Sequence, residues 1–222
     1  MTEIAIPIFD RLTALDAIGP FEVLSRLPDA RVTFVAREAG LKRTDNGMLA
    51  VAADLSLREA PAPDVVVVPG GLGSRQELAE EETLTWLREA HERSTFTTSV
   101  CTGSLILAAA GILDGLDATT HWLSLERLAE LGARPVRERV VEDGKVITAA
   151  GVSAGIDMAL LLAARIAGDE VAQAIQLAIE YDPQPPFDAG SPETAPRAIV
   201  ERLSSGVADR SARPRTPSPG PP

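Results

Sequence analysis

Short runs of apolar, β-branched residues alternate along the chain with segments whose apolar positions recur every three or four residues. Ile4–Phe9, Arg31–Ala36, Asp64–Pro69 and Thr95–Val100 read as strands, and the four valines before Pro69 predict one that is buried on both faces, as in a parallel sheet. Between them lie helical patterns. Thr13–Leu27 sets Leu15, Ile18, Val23 and Leu24 on one side, Glu81–Arg93 does the same with Leu84, Leu87 and Ala90, and Thr102–Ala110 opens directly on a strand end. This repetition predicts an α/β fold: a doubly wound, mostly parallel sheet flanked by helices and connected by right-handed crossovers. Further on, RPVRERVVEDGKVITAA reads as a hairpin turning at Asp143-Gly144, and VSAGIDMALLLAARIAG as a buried Ala/Leu helix.

Composition sets the limits of the folded part. Of 222 residues, 45% are apolar but only 4% aromatic, so the core has to be built from Ala, Val, Leu and Ile. Ten of the 17 prolines fall between Pro183 and Pro222, which predicts a body over residues 1–182 and a Pro-containing extension over 183–203 that packs on it. The stretch 204–222, with little to bury, reads as a disordered tail. That tail holds one acid and three arginines, so the net charge of −11 becomes −13 without it. Such a surface repels phosphate backbones, and nucleic acid is excluded as a partner. Glu3 and Asp10 interrupt any leader pattern, and the longest apolar run, Met158–Ala164, is far short of the roughly 20 residues of a membrane span. A soluble, cytoplasmic protein with no membrane partner is expected. One cysteine, Cys101, allows no disulfide within the chain and no thiolate metal cluster.

In open α/β sheets chemistry sits where strand ends run into helix starts, and three such ends carry unusual residues. The first strand leads to Asp16, the valine strand ends in Gly70-Gly71, and TFTTSV runs straight into Cys101-Thr102-Gly103-Ser104. A thiol in that last turn faces free amides and the positive end of a helix, which can lower its pKa to between about 3.5 and 7.5. A lone cysteine is otherwise a small buried apolar residue. Gly70-Gly71 is either a plain turn or a source of free amides for developing negative charge. Asp16, flanked by Leu15, Ala17 and Ile18, is either a solvated surface acid or an inward carboxyl raised by desolvation. Glu22 reads as structural or at a subunit contact, and His121 and Asp157 as structural residues, with a catalytic place for His121 left open.

LTALDAIGPFEVL, VVVVPGG, TSVCTGSLILAAAGILDG, ATTHW and ITAAGVSAGIDMALLL together resemble the ThiJ/PfpI superfamily, which shares a core with class I glutamine amidotransferases; the match spans about residues 3–180. The stretch IQLAIEYDPQPPFDAGSPETAP is similar to the C-terminal part of the isonitrile hydratases within it. Peptidase-like members carry a His after the cysteine, where Thr102 stands here. AraC-type regulators share the HW and GID motifs but continue into a DNA-binding domain, for which the residues after Tyr181 leave no room. The resemblance implies an enzyme that hydrates a small apolar isonitrile to a formamide. It casts Cys101 as nucleophile, Asp16 as acid/base partner, Thr102 as a hydrogen-bonding neighbour and the Gly71 amide as part of an anion-stabilising pocket. It also implies a homodimer with no cofactor and no metal. Two other readings fit the same residues: a thiol-based stress sensor or chaperone-like protein, and a ligand-binding domain related to the regulators.

Overall fold

The computed structural model describes residues 1–60 and 62–212, and the chain divides into two compact units, Met1–Tyr181 and Asp182–Pro222. In chain order the first unit contains β1 (Thr2–Pro7), α1 (Ala14–Leu24), β2 (Ala30–Ala36), β3 (Gly40–Arg43), β4 (Ala50–Ala53), β5 (Leu55–Ser56) and β6 (Val65–Val68). Then come α2 (Ser74–Glu77), α3 (Glu81–Arg93), β7 (Phe96–Val100), α4 (Gly103–Ala109), β8 (Asp117–Ala118), α5 (Leu125–Glu130) and β9 (Arg134–Pro135). β10 (Val140–Asp143), β11 (Val146–Ala149), α6 (Ala154–Ala167) and α7 (Asp169–Ala178) complete it. Among the described residues no helix is long and apolar enough to cross a membrane.

Seven strands form one sheet in the order β10-β11-β7-β6-β1-β2-β5, and every neighbouring pair is parallel except the β10–β11 hairpin. The doubly wound, mostly parallel sheet read from the periodicity is therefore present. Its centre is β6, whose four valines are buried as the unbroken apolar run requires. Helix α1 packs against α6, and α6 against α7, while α4 covers β6 and β7 beside α2, α3 and α5. Two small ladders, β3–β4 and β8–β9, lie outside the main sheet. The β3–β4 hairpin and β5 carry no alternation strong enough to announce them. They follow from pairing with distant partners, as β5 does with the end of β2.

The second unit contains α8 (Arg197–Ala212). Residues 204–212 of the expected tail continue this helix from residues 197–203, and the first proline after its start is Pro214. Residues 213–222 of the expected tail lie outside the described residues.

Close backbone packing brings the strand ends of β6 and β7 together. A Cβ on Gly103 would sit 2.1 Å from the Val68 carbonyl oxygen, which only a bare backbone can avoid. Gly103→Ala is expected to lower stability by about 3 kcal/mol in urea unfolding, at the upper end of overpacking costs, since backbone cannot rotate away. Gly144→Ala, in the open β10–β11 turn at φ +61° with no neighbour within 4 Å, should cost only about 1 kcal/mol.

Candidate active site

β7 ends at Val100, and the next residue, Cys101, takes φ +57°, a left-handed conformation unusual for a side chain with a Cβ. Its amide donates to the carbonyls of Ala149 (3.0 Å) and Ala150 (2.8 Å), and its own carbonyl accepts from Ser104 Oγ (3.1 Å) and Thr120 Oγ1 (2.9 Å). Four hydrogen bonds thus hold a strained residue that is only 5% exposed. Strain of this kind costs of order 1–3 kcal/mol and persists only where the surroundings over-determine it, which marks the turn as a functional candidate.

Asp16, in the first turn of α1, is fully buried at 0% exposure. One oxygen, Oδ2, accepts the Gly70 amide at 3.0 Å, and the other, Oδ1, has no hydrogen-bond partner. Burial pushes this carboxyl up to about 7, against the smaller lowering effects of the Gly70 amide and the Cys101 thiol; the charge of Asp45 adds to the rise. The inward reading of Asp16 holds. The thiol and the carboxyl act on each other, in a contact looser than a well-formed hydrogen bond.

The thiol does not behave as its place in the turn suggested. Burial first, and then the neighbouring Asp16 charge, push Cys101 well above the ordinary thiol range, and the amides of Thr102 and Val152, which favour the thiolate, offset only part of this. The expected lowering by the helix end fails because α4 has seven residues and its N-terminal turn is covered by protein rather than water. With both groups raised, the pair shares its protons, and its apparent pKa values belong to neither residue alone.

Gly70 and Gly71 supply amides in different directions. Gly70 N–H holds Asp16, while Gly71 N–H donates to Thr102 Oγ1 at 2.9 Å. The Gly71 amide expected to face an anion is thus engaged by Thr102, while φ +132° at Gly71 carries the chain on past Thr13. Ser74 Oγ completes this corner, 2.8 Å from the Gly71 carbonyl and 3.0 Å from Thr102 Oγ1.

The sequence profile of the DJ-1/PfpI family matches residues 2–165. The chain belongs to the DJ-1/PfpI family. The isonitrile hydratase of Pseudomonas putida is 44% identical to it over 206 residues, 93% of this chain and 90% of that protein. A crystal structure of a ThiJ/PfpI family protein from Pseudomonas syringae matches with a TM-score of 0.91 at 38% identity, covering 94% of this chain and 86% of that one. Drosophila melanogaster DJ-1beta, at 23% identity, shares the fold with a TM-score of 0.74 over 82% of this chain and 99% of its own.

Within this DJ-1/PfpI chain the other sequence candidates have partners of their own. Glu22 is exposed and pairs with Arg26 at 2.7 Å. The His121 ring accepts the Leu123 amide at 3.4 Å, capping the short turn Trp122–Ser124, and burial lowers its pKa; it lies against Gly151 as a packing residue. Asp157 binds Arg139, whose guanidinium also reaches Ser153 Oγ at 3.3 Å and whose carbonyl takes the Ala150 amide at 2.9 Å. Those contacts brace the 150–153 loop that brings the Val152 amide to the sulfur. Ser74, Thr120 and the Val152 amide were missed by sequence reasoning. For Thr120 the TTHW run was the available signal, and for the other two there was none.

Proposed function

We propose that this chain is an isonitrile hydratase, converting an uncharged isonitrile, R–N≡C, and water to the formamide R–NH–CHO. The observation that carries the reading is the pairing of Cys101 with a buried carboxyl poised near neutrality. The 44% identity to a hydratase over most of both chains supports it. An isonitrile carbon needs a proton and a nucleophile on the same atom, and this pair has one of each.

In the one-proton state of the pair, the proton held on the Cys101 sulfur passes through Asp16 to the isonitrile carbon as the sulfur adds to it, leaving a thioimidate, R–N=CH–S–Cys101, and an ionised Asp16. Asp16 then takes a proton from water as the oxygen attacks the same carbon and hands that proton to the nitrogen, which leaves Asp16 ionised again. Collapse of R–NH–CH(OH)–S–Cys101 breaks the C–S bond, releases the formamide and returns one proton to the pair. Thr102 donates its hydroxyl to the nitrogen. The amides of Thr102 and Val152 hold the sulfur while it carries charge.

A redox sensor needs an exposed, low-pKa thiol. Cys101 is buried and pushed the other way, which favours turnover over sensing. The reading makes the protein a cytoplasmic homodimer; the exposed apolar residues Leu15, Met48 and Leu49 supply surface for such a contact, and light scattering measures it. The test of function is incubation with an alkyl isonitrile in H₂¹⁸O. N-alkyl formamide carrying the label in its formyl oxygen is expected, and absence of formamide overturns the assignment.

A further inference from the structure

The Thr102 hydroxyl stands among more partners than it can satisfy at once. Its Oγ1 accepts the Gly71 amide at 2.9 Å, lies 3.0 Å from Ser74 Oγ and 3.3 Å from the Gly71 carbonyl, and Ser74 Oγ reaches that same carbonyl at 2.8 Å. Two hydroxyl protons serve this triangle, and a hydroxyl oxygen accepts two hydrogen bonds while donating one. When Ser74 donates to the Gly71 carbonyl, Thr102 keeps a free lone pair and its own proton turns inward to Ser74. When Ser74 donates to Thr102, both lone pairs of Oγ1 are filled by protein donors and only the Thr102 proton remains to be offered. The nearest protein acceptor for it is then the Gly71 carbonyl at 3.3 Å, too far to hold it against a better placed atom.

We propose that Ser74 is a positioning residue for Thr102: by turning its hydroxyl from the Gly71 carbonyl onto Thr102 Oγ1, it makes Thr102 an obligate hydrogen-bond donor to the bound substrate. The identity of the acceptor as the isonitrile-derived nitrogen rests on the hydratase reading. Ser74 is 1% exposed, at the start of α2, so water cannot substitute for it as the second donor. Without its hydroxyl the Gly71 carbonyl also loses a donor and competes for the Thr102 proton, so both consequences act in the same direction.

The experiment places Ser74→Ala in three backgrounds, Thr102, Thr102→Ser and Thr102→Val, and measures kcat and KM for formamide formation alongside urea unfolding. In the two backgrounds that keep a hydroxyl at 102, Ser74→Ala should lower kcat about tenfold with KM changed less than about twofold, the scale of one hydrogen bond made in the transition state. In Thr102→Val it should lower kcat no further. An unchanged kcat in the single variant, or the same tenfold fall in Thr102→Val, overturns the proposal, since a merely structural serine is indifferent to residue 102. If the wild-type protein makes no formamide, the hydratase reading falls by itself, and the unfolding data then decide: a coupling of about fivefold in the unfolding constant between Ser74→Ala and Thr102→Val supports the Ser74–Thr102 contact, and additive effects overturn it.

Discussion

Asp16→Asn is expected to remove turnover and, at the same time, to stabilise the fold at neutral and alkaline pH. The two effects have one cause. A carboxyl held at about 7 against a model value of 3.8 ionises in the folded chain only at a cost of about 1.4 kcal/mol per unit, or roughly 4 kcal/mol in all. Below pH 4 the group is protonated in both folded and unfolded chains and contributes nothing. Between pH 4 and 7 the unfolded chain sheds the proton while the folded one keeps it, so stability falls as pH rises, and above 7 the full penalty is present. Asn keeps the bond to the Gly70 amide through its carbonyl oxygen but brings an amide group to a place without an acceptor, which takes back part of the gain. A net gain on the order of 2 kcal/mol at pH 8, shrinking to almost none near pH 4, is the expected outcome of urea unfolding. The rate of formamide formation should fall by about 10²–10⁴, the usual worth of a placed acid/base group. Wild-type kcat/KM should decline as pH drops below about 7, when the pair takes up its second proton. An Asp16→Asn protein that is less stable than wild type at pH 8 would sink the buried-carboxyl account.

How far the molecule could be read from its sequence depended on the range of the interactions involved. β6 and α3 were legible because a run of four valines and a three-to-four-residue spacing are local patterns, and the Cys101 turn was legible because strand, thiol and helix are contiguous in the chain. The apolar neighbours of Asp16 left it open between a solvated surface acid and an inward carboxyl, and its complete burial decides for the second. The division of labour between Gly70 and Gly71 was not legible, since their amides find oxygens 54 positions earlier, on Asp16, and 31 positions later, on Thr102. Ser74 carries no pattern at all; its meaning lies in an approach to Thr102 across 28 positions. The direction of the Cys101 shift was misread for a related reason. A helix start is local and visible in the sequence, whereas desolvation is set by everything that covers the turn, and here the covering wins.

Cys101→Ala should abolish formamide formation, by at least about 10³-fold, and with it any mass increment on the protein during turnover, because no other thiol exists in the chain to form the thioimidate. Activity surviving in this variant would remove covalent catalysis even with the overall reaction intact. A second measurement separates the electrostatics from the chemistry. Since burial and the Asp16 charge both oppose the thiolate, iodoacetamide should alkylate wild-type Cys101 slowly at pH 8 and faster as pH rises further. Asp16→Asn removes the second of these causes and leaves the first, so its thiol should react faster than that of wild type at pH 8 even though the enzyme no longer turns over. A variant that is dead in catalysis yet quicker in alkylation is what a carboxylate that restrains the nucleophile until substrate arrives requires. Equal or slower alkylation in Asp16→Asn would mean that Asp16 does not act on Cys101 through charge, and the shared-proton pair at the centre of the mechanism would be lost.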